Sequence, residues 1–141
     1  MASVRNMGID PVTFTAGVDF SACPTSQYRF VRAGSVAGEV RLASGASNPG
    51  PLGVIQNSPS TGQEAAVIML GPTKLVVNGA PCTLAFGHYV LVASDGRGQA
   101  LDTSTSQGFS ATWLDAQATT ASMIGEAFFW GPLAACAMSS C

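Results

Sequence analysis

Charge is what this sequence has least of. Acidic and basic residues make up 10% of its 141 residues, against ~25% in an ordinary soluble domain. The six basic side chains are one lysine, Lys74, and five scattered arginines, and with eight acids they leave a net charge of −2. No basic stripe exists to neutralise a run of phosphates, so direct nucleic-acid binding is not expected. Histidine is rarer still. His88 is the only one, so it would have to be the base of any Ser-His-Asp or Cys-His arrangement. It lies in Phe86-Gly87-His88-Tyr89, just before an apolar segment, and no Gly-x-Ser-x-Gly elbow occurs, so it reads as a turn residue. Asp95, Asp102 and Asp115 are the only loosely grouped carboxylates, each beside turn residues.

The four cysteines, Cys23, Cys82, Cys136 and Cys141, show no CxxC spacing, which argues against a zinc site. Buried thiols are the first reading, with Cys136 and Cys141 a candidate disulfide and Cys141 an alternative link to a neighbouring copy. Gly71-Pro72-Thr73-Lys74 lacks the spacing of a phosphate loop, and Asp95-Gly96-Arg97-Gly98 lacks the later acid of a calcium loop. No cofactor or metal is expected. Long apolar runs are missing too: 65–70 and 84–93 are too short to span a bilayer, and 121–137 is interrupted by Glu126 and Pro132. No membrane helix is expected. Residues 1–8 have no apolar signal core after Arg5, so synthesis is expected in the cytoplasm.

Against these shortages stand 47% hydrophobic residues, sixteen glycines and eight prolines. The glycines and prolines recur at short intervals, leaving segments of about five to nine residues rich in Val, Ile, Thr, Phe and Tyr. This is the cadence of an all-β protein, and it predicts strands near 13–20, 28–33, 39–42, 53–56, 64–69, 73–77, 89–93, 100–103 and 122–129. Alternation in 28–32 predicts one buried side, whereas the unbroken apolar run 65–70 predicts burial on both. Asp95-Gly96 is expected to close a hairpin. Residues 44–51 and 57–62 read as surface loops, and 104–120 as a long loop, hairpin or short helix. Residues 1–12 are expected to form an extended N-terminal arm, with 13–141 a single β domain ending in a Cys-bearing tail. Val4, Met7, Ile9, Val12 and Phe14 offer apolar anchors for a partner. Phe128-Phe129-Trp130 places three aromatics in succession, so alternate rings face opposite sides and form a candidate subunit contact. Trp113, Trp130, Tyr28 and Tyr89 are candidates for a glycan-stacking platform.

A neutral surface favours association. A monomer of this size exposes roughly 6,800 Å², so a partner-sized patch of ~800 Å² would hold about two charges at most. Few ions lose hydration when such a patch is covered.

The segments Gly53-Val54-Ile55-Gln56-Asn57, Gly62-Gln63-Glu64-Ala65-Ala66-Val67, Gly87-His88-Tyr89-Val90, Asp95-Gly96-Arg97 and Ile124-Gly125-Glu126-Ala127 follow one another along the chain. In that order they resemble the capsid decoration, or cement, proteins of tailed bacteriophages. The similarity spans 53–127, about half the chain. It implies a compact β-sandwich or β-tulip-like barrel that docks on the outside of a phage head, often as a homotrimer. The partner implied is the phage major capsid protein, and the protein would be located on the outer surface of the virion capsid. The longer N-terminal segment, the 107–120 stretch and the Cys-bearing tail depart from the family's usual shape. A second reading is another oligomeric β component of the virion (tail, fibre or spike) or a carbohydrate-binding module displayed on a particle.

Overall fold

The computed structural model describes residues 10–22, 26–45, 50–79, 83–101, 109–116, 118 and 120–133. Among these the chain is all-β. Ten strands follow in order: β1 (Val12–Ala16), β2 (Phe30–Ala33), β3 (Glu39–Leu42), β4 (Pro51–Ile55), β5 (Glu64–Ile68), β6 (Gly71–Val77), β7 (Tyr89–Val92), β8 (Gly98–Ala100), β9 (Phe109–Trp113) and β10 (Met123–Leu133). They close into two five-stranded barrels, β1-β3-β2-β4-β5 and β6-β8-β7-β9-β10.

The two barrels repeat one topology. In each, the first strand pairs in parallel with the third and antiparallel with the fifth, and the remaining pairs are antiparallel. The registers also coincide. Ala16↔Val40 corresponds to Val77↔Gly98, Phe30↔Val54 to Tyr89↔Thr112, and Val54↔Ile68 to Thr112↔Phe128. Bonds outside the ladders match as well. Tyr28 N–H donates to the Ile55 carbonyl as Gly87 does to Trp113, and Gly62 N–H donates to Ala16 as Ser122 does to Val77. Positive φ recurs at the equivalent pairs Tyr28/Gly87, Gly38/Gly96, Gly62/Ser122 and Gly71/Gly131.

Each barrel has its own filling. Ala16, Phe20, Val31, Val40, Ile55, Ala65 and Val67 pack inside the first. Leu75, Val77, Val90, Ala111, Trp113, Ala127 and Phe129 are in the second cluster, which also takes in Phe30, Ala43 and Val54. Strands β2 and β4 are therefore buried on both faces, with Val31 and Ile55 turned inward and Phe30 and Val54 turned to the second barrel. This corrects the one-sided burial expected of 28–32. The apolar run 65–70 differs in the other direction, since Met69 and Leu70 are exposed.

Other boundaries shift for local reasons. Tyr28 has a φ of 61° and belongs to a turn, so β2 starts at Phe30. The hairpin at Asp95-Gly96 pairs Val92 with Gly98, which places β8 at Gly98–Ala100 rather than 100–103. The open stretch 104–120 contains β9, whose Ala111 and Trp113 point inward. Gly125 makes room for that tryptophan: an added Cβ would lie 2.5 Å from its ring. Strand β1 begins at Val12, and residues 1–9 lie outside the described residues.

The repeat supplies a stability test. Ser122 holds a φ of 65° where its equivalent Gly62 has 85°, and a left-handed conformation costs a non-glycine residue roughly 1 kcal/mol. Ser122→Gly is expected to raise unfolding stability by up to about 1 kcal/mol and Gly62→Ala to lower it by about the same, measured by urea titration.

Candidate interaction surface

Strands β7, β9 and β10 carry the aromatic residues that do not enter the core. Along β10, Phe129 points inward and is 1% exposed, whereas Trp130 is 49% exposed. Phe128 shares Trp130's side of the strand, and their rings lie 4.4 Å apart. The Trp130 indole N–H donates to Thr112 Oγ1 at 2.9 Å, which fixes the ring against β9. Thr112 sits opposite both Phe128 and Tyr89. Tyr89, 37% exposed, stacks on Phe109 at 4.3 Å. The outcome is a continuous face of Tyr89, Phe109, Thr112, Phe128 and Trp130. Ile124 lies farther along the same side of β10, beyond Glu126, and Phe86 projects from the turn before β7.

The expected subunit contact is thus corrected at one residue. Phe128 and Trp130 are on the outside, but Phe129 fills the second barrel and lies 6.0 Å from Phe30. The proposed glycan platform does not assemble as a unit. Trp113 is wholly buried, its indole N–H donating to the Ala116 carbonyl, and Tyr28 lies under the Lys74 ammonium, 5.7 Å from its ring centre. Only Tyr89 and Trp130 of that set share the aromatic face. Of the arm residues, Val12 is exposed in β1, Phe14 packs half-buried against the first core, and Val4, Met7 and Ile9 lie outside the described residues. Cys136 and Cys141 lie outside them too.

A second apolar surface lies at one end of the first barrel. Val12 at the start of β1, Val36 in the β2–β3 hairpin and Met69 after β5 are all exposed. Sequence reasoning singled out only Val12 there. Val36 is an isolated apolar residue among turn signals and Met69 lies in the apolar run 65–70 that the sequence predicts to be buried, so only the barrel geometry gathers them.

The polar candidates hold turns. His88 Nδ1 accepts the Ala85 N–H at 3.2 Å and its own N–H donates to the Ala85 carbonyl. Asp115 accepts the backbone N–H groups of Ala116 and Glu126, and Asp102 lies outside the described residues. Asp95 accepts Arg97 Nε at 2.8 Å inside the β7–β8 hairpin. Partial burial pushes its carboxyl up, but the Arg97 backbone N–H, the Arg97 guanidinium and Arg29 outweigh it and hold the pKa below the usual value. Among the described residues no three His, Cys, Asp or Glu side chains are grouped to hold a metal. The chain matches no family model and no curated protein.

Neighbouring rings on β10 should respond unequally to substitution. Phe129→Ala is expected to cost about 3–5 kcal/mol, whereas Trp130→Ala should cost about 1–2 kcal/mol for the lost Thr112 bond and Phe128 contact, both read by urea titration at high dilution. Asp95 carries a pH prediction. Because its folded pKa is depressed, its contribution is present above the unfolded value near ~3.9 and lost as pH falls through the folded one. Asp95→Asn should therefore cost less than about 1 kcal/mol at neutral pH, and the difference should vanish in stability curves taken near pH 2.

Proposed function

We propose that this chain is a non-enzymatic structural protein that decorates the outside of a phage head and bridges neighbouring capsomers, with copies of itself and the major capsid protein as partners. The observation that carries the reading is the pairing of an almost ion-free sequence with two exposed apolar surfaces on a scaffold whose strand edges are closed. Most backbone pairing is satisfied within the two barrels and across their junction, so a partner is held mainly by side-chain faces. The segments that resemble decoration proteins support it further. They fall on β4, β5, β7, the β7–β8 hairpin and β10, the strands and turn that frame the junction and the aromatic face.

Function here is mechanical. A head offers many identical sites, so a weak contact per copy becomes strong once each copy bridges two capsomers and touches its neighbour. The residues of the N-terminal segment, Val4, Met7 and Ile9, are proposed to add apolar contacts to the shell. The aromatic face of Tyr89, Phe128 and Trp130 keeps a second reading in play, a glycan-binding module displayed on a particle, since exposed rings stack on sugars as well as on proteins.

Incubating the purified chain with undecorated phage shells and pelleting them decides between the two. Saturable binding at a fixed ratio is expected, changing no more than about threefold between roughly 50 and 500 mM salt, because apolar burial rather than Coulomb attraction holds the copy. Removing residues 1–9 should weaken attachment without altering the circular-dichroism melt. Absent shell binding, together with hits on a glycan array, would transfer the function to the second reading.

A further inference from the structure

The junction inside the chain shows how one barrel accepts another. The outer face of β2 and β4 covers one end of the second barrel, an end built from the start of β6, Phe129 and the β7–β8 hairpin. Phe30 N–H donates to the Gly96 carbonyl at 2.7 Å and Val76 N–H to the Tyr28 carbonyl at 2.9 Å. Gln56 Nε2 donates to Thr73 Oγ1 at 2.7 Å, and Arg29 reaches the Asp95 carbonyl. Phe30 and Val54 are 0% exposed in consequence.

Because the barrels repeat residue for residue, each side of this junction has a counterpart elsewhere on the molecule. The covering residues Phe30, Val54 and Ile68 correspond to Tyr89, Thr112 and Phe128, in the middle of the aromatic face. Tyrosine and threonine keep the shapes of phenylalanine and valine and add a hydroxyl. The covered residues Thr73 and Phe129 and the β7–β8 hairpin correspond to Val12, Met69 and the β2–β3 hairpin bearing Val36. Thr73 and Phe129 are buried, whereas Val12, Met69 and Val36 are all exposed. Four of the eight large hydrophobic residues exposed among the described residues, Val12, Val36, Met69 and Tyr89, therefore lie on the two unused halves of a contact that the chain already makes once.

We infer that copies of this chain associate head to tail, the β7–β9–β10 face of one copy covering the open end of the first barrel of the next through side-chain faces equivalent to those of the internal junction. The backbone bonds of that junction are not repeated there, because the Thr15 N–H, equivalent to that of Val76, already donates to the Gly38 carbonyl. Such a contact is heterologous and either closes into a ring or runs on as a filament. Closed after three copies, it gives a ring of six barrels in which internal and intermolecular contacts alternate. The inference deepens the self-association in the proposed function and rests on that reading only in taking the chain as an assembly component.

Light scattering on the full chain after size exclusion tests it without any shell, so that a failure here is separate from a failure of shell binding. The wild type is expected to assemble with concentration. Val36→Asp, at an exposed hairpin position, and Tyr89→Asp, which also loses the Phe109 stack, should each weaken association at least tenfold while the circular-dichroism spectrum of the folded monomer is retained. Mixed in equal amounts, the two variants should form a one-to-one dimer and nothing larger, because one intact face and one intact end remain between them. A Val36→Asp variant that still dimerises by itself would show a face-to-face contact and overturn the proposal. A mixture that stays monomeric would overturn it too, as would a wild type that assembles only once residues 1–9 are removed, which would give the barrel end to the chain's own N-terminal segment.

Discussion

Closure of the sheets is the constraint from which the rest follows. Five short strands close into a ring with no free edge strand, and where β6 meets β8 only at Val77↔Gly98 the Val76 N–H is taken by the Tyr28 carbonyl of the first barrel. A ring this small is filled by a handful of side chains, and neither barrel has interior enough to stand alone comfortably. The two solve the problem jointly. Phe30 and Val54 leave the first barrel's outer face and complete the second cluster, so that β2 and β4 contribute one row of side chains to each core. The cost falls on the turns, where Tyr28 and Ser122 accept a left-handed backbone that the ring geometry demands.

Fourteen ionisable acidic and basic groups on 141 residues then shape what the surface can do. Twelve of them are among the described residues, and several brace turns or strands. Arg97 and Asp95 brace the β7–β8 hairpin, Arg29 ties that hairpin to the first barrel, and Arg41 pairs with Glu39 on β3. Arranged so, Arg29, Asp95 and Arg97 stiffen the junction, and on β10 the aromatic face carries one charge, Glu126, between Ile124 and Phe128. Association through such surfaces depends on area and fit, and long-range steering contributes little.

The class of the fold was legible because Gly and Pro spacing reports strand length directly, and nine strands were anticipated near their places. The tenth, β9, was hidden because Ser110, Ala111 and Thr112 carry little strand signal and only Trp113 announces a core. The repeat was hidden more deeply. Equivalent positions hold Phe30 and Tyr89, Ile68 and Phe128, Gly62 and Ser122, pairs that share shape or backbone geometry but not letters. One trace was readable: Ile68-Met69-Leu70-Gly71-Pro72 and Phe128-Phe129-Trp130-Gly131-Pro132 each set three large apolar residues before Gly-Pro, and both glycines have positive φ. The candidate site was half legible. Strand parity requires that Phe129 and Trp130 part company, but which ring enters the core depends on the register with β9, where Phe129 faces Ala111, and that is a tertiary fact.

Linkage accounts for the chemical difference between the internal junction and the contact proposed between copies. Within the chain, the barrels are tethered at a high effective concentration, and their faces are never exposed once folded, so Phe30 and Val54 incur no penalty for being wholly apolar. A face that must meet its partner from solution spends time uncovered. There, a hydroxyl on the same framework, as in Tyr89 and Thr112, retains hydration in the free state while preserving the outline that fits the barrel end. The same reasoning runs in reverse across the junction: Thr73, buried and bonded to Gln56, can be polar because its partner is always present, whereas Val12 at the equivalent site offers only shape and apolar area, which suffice for a partner that arrives and leaves.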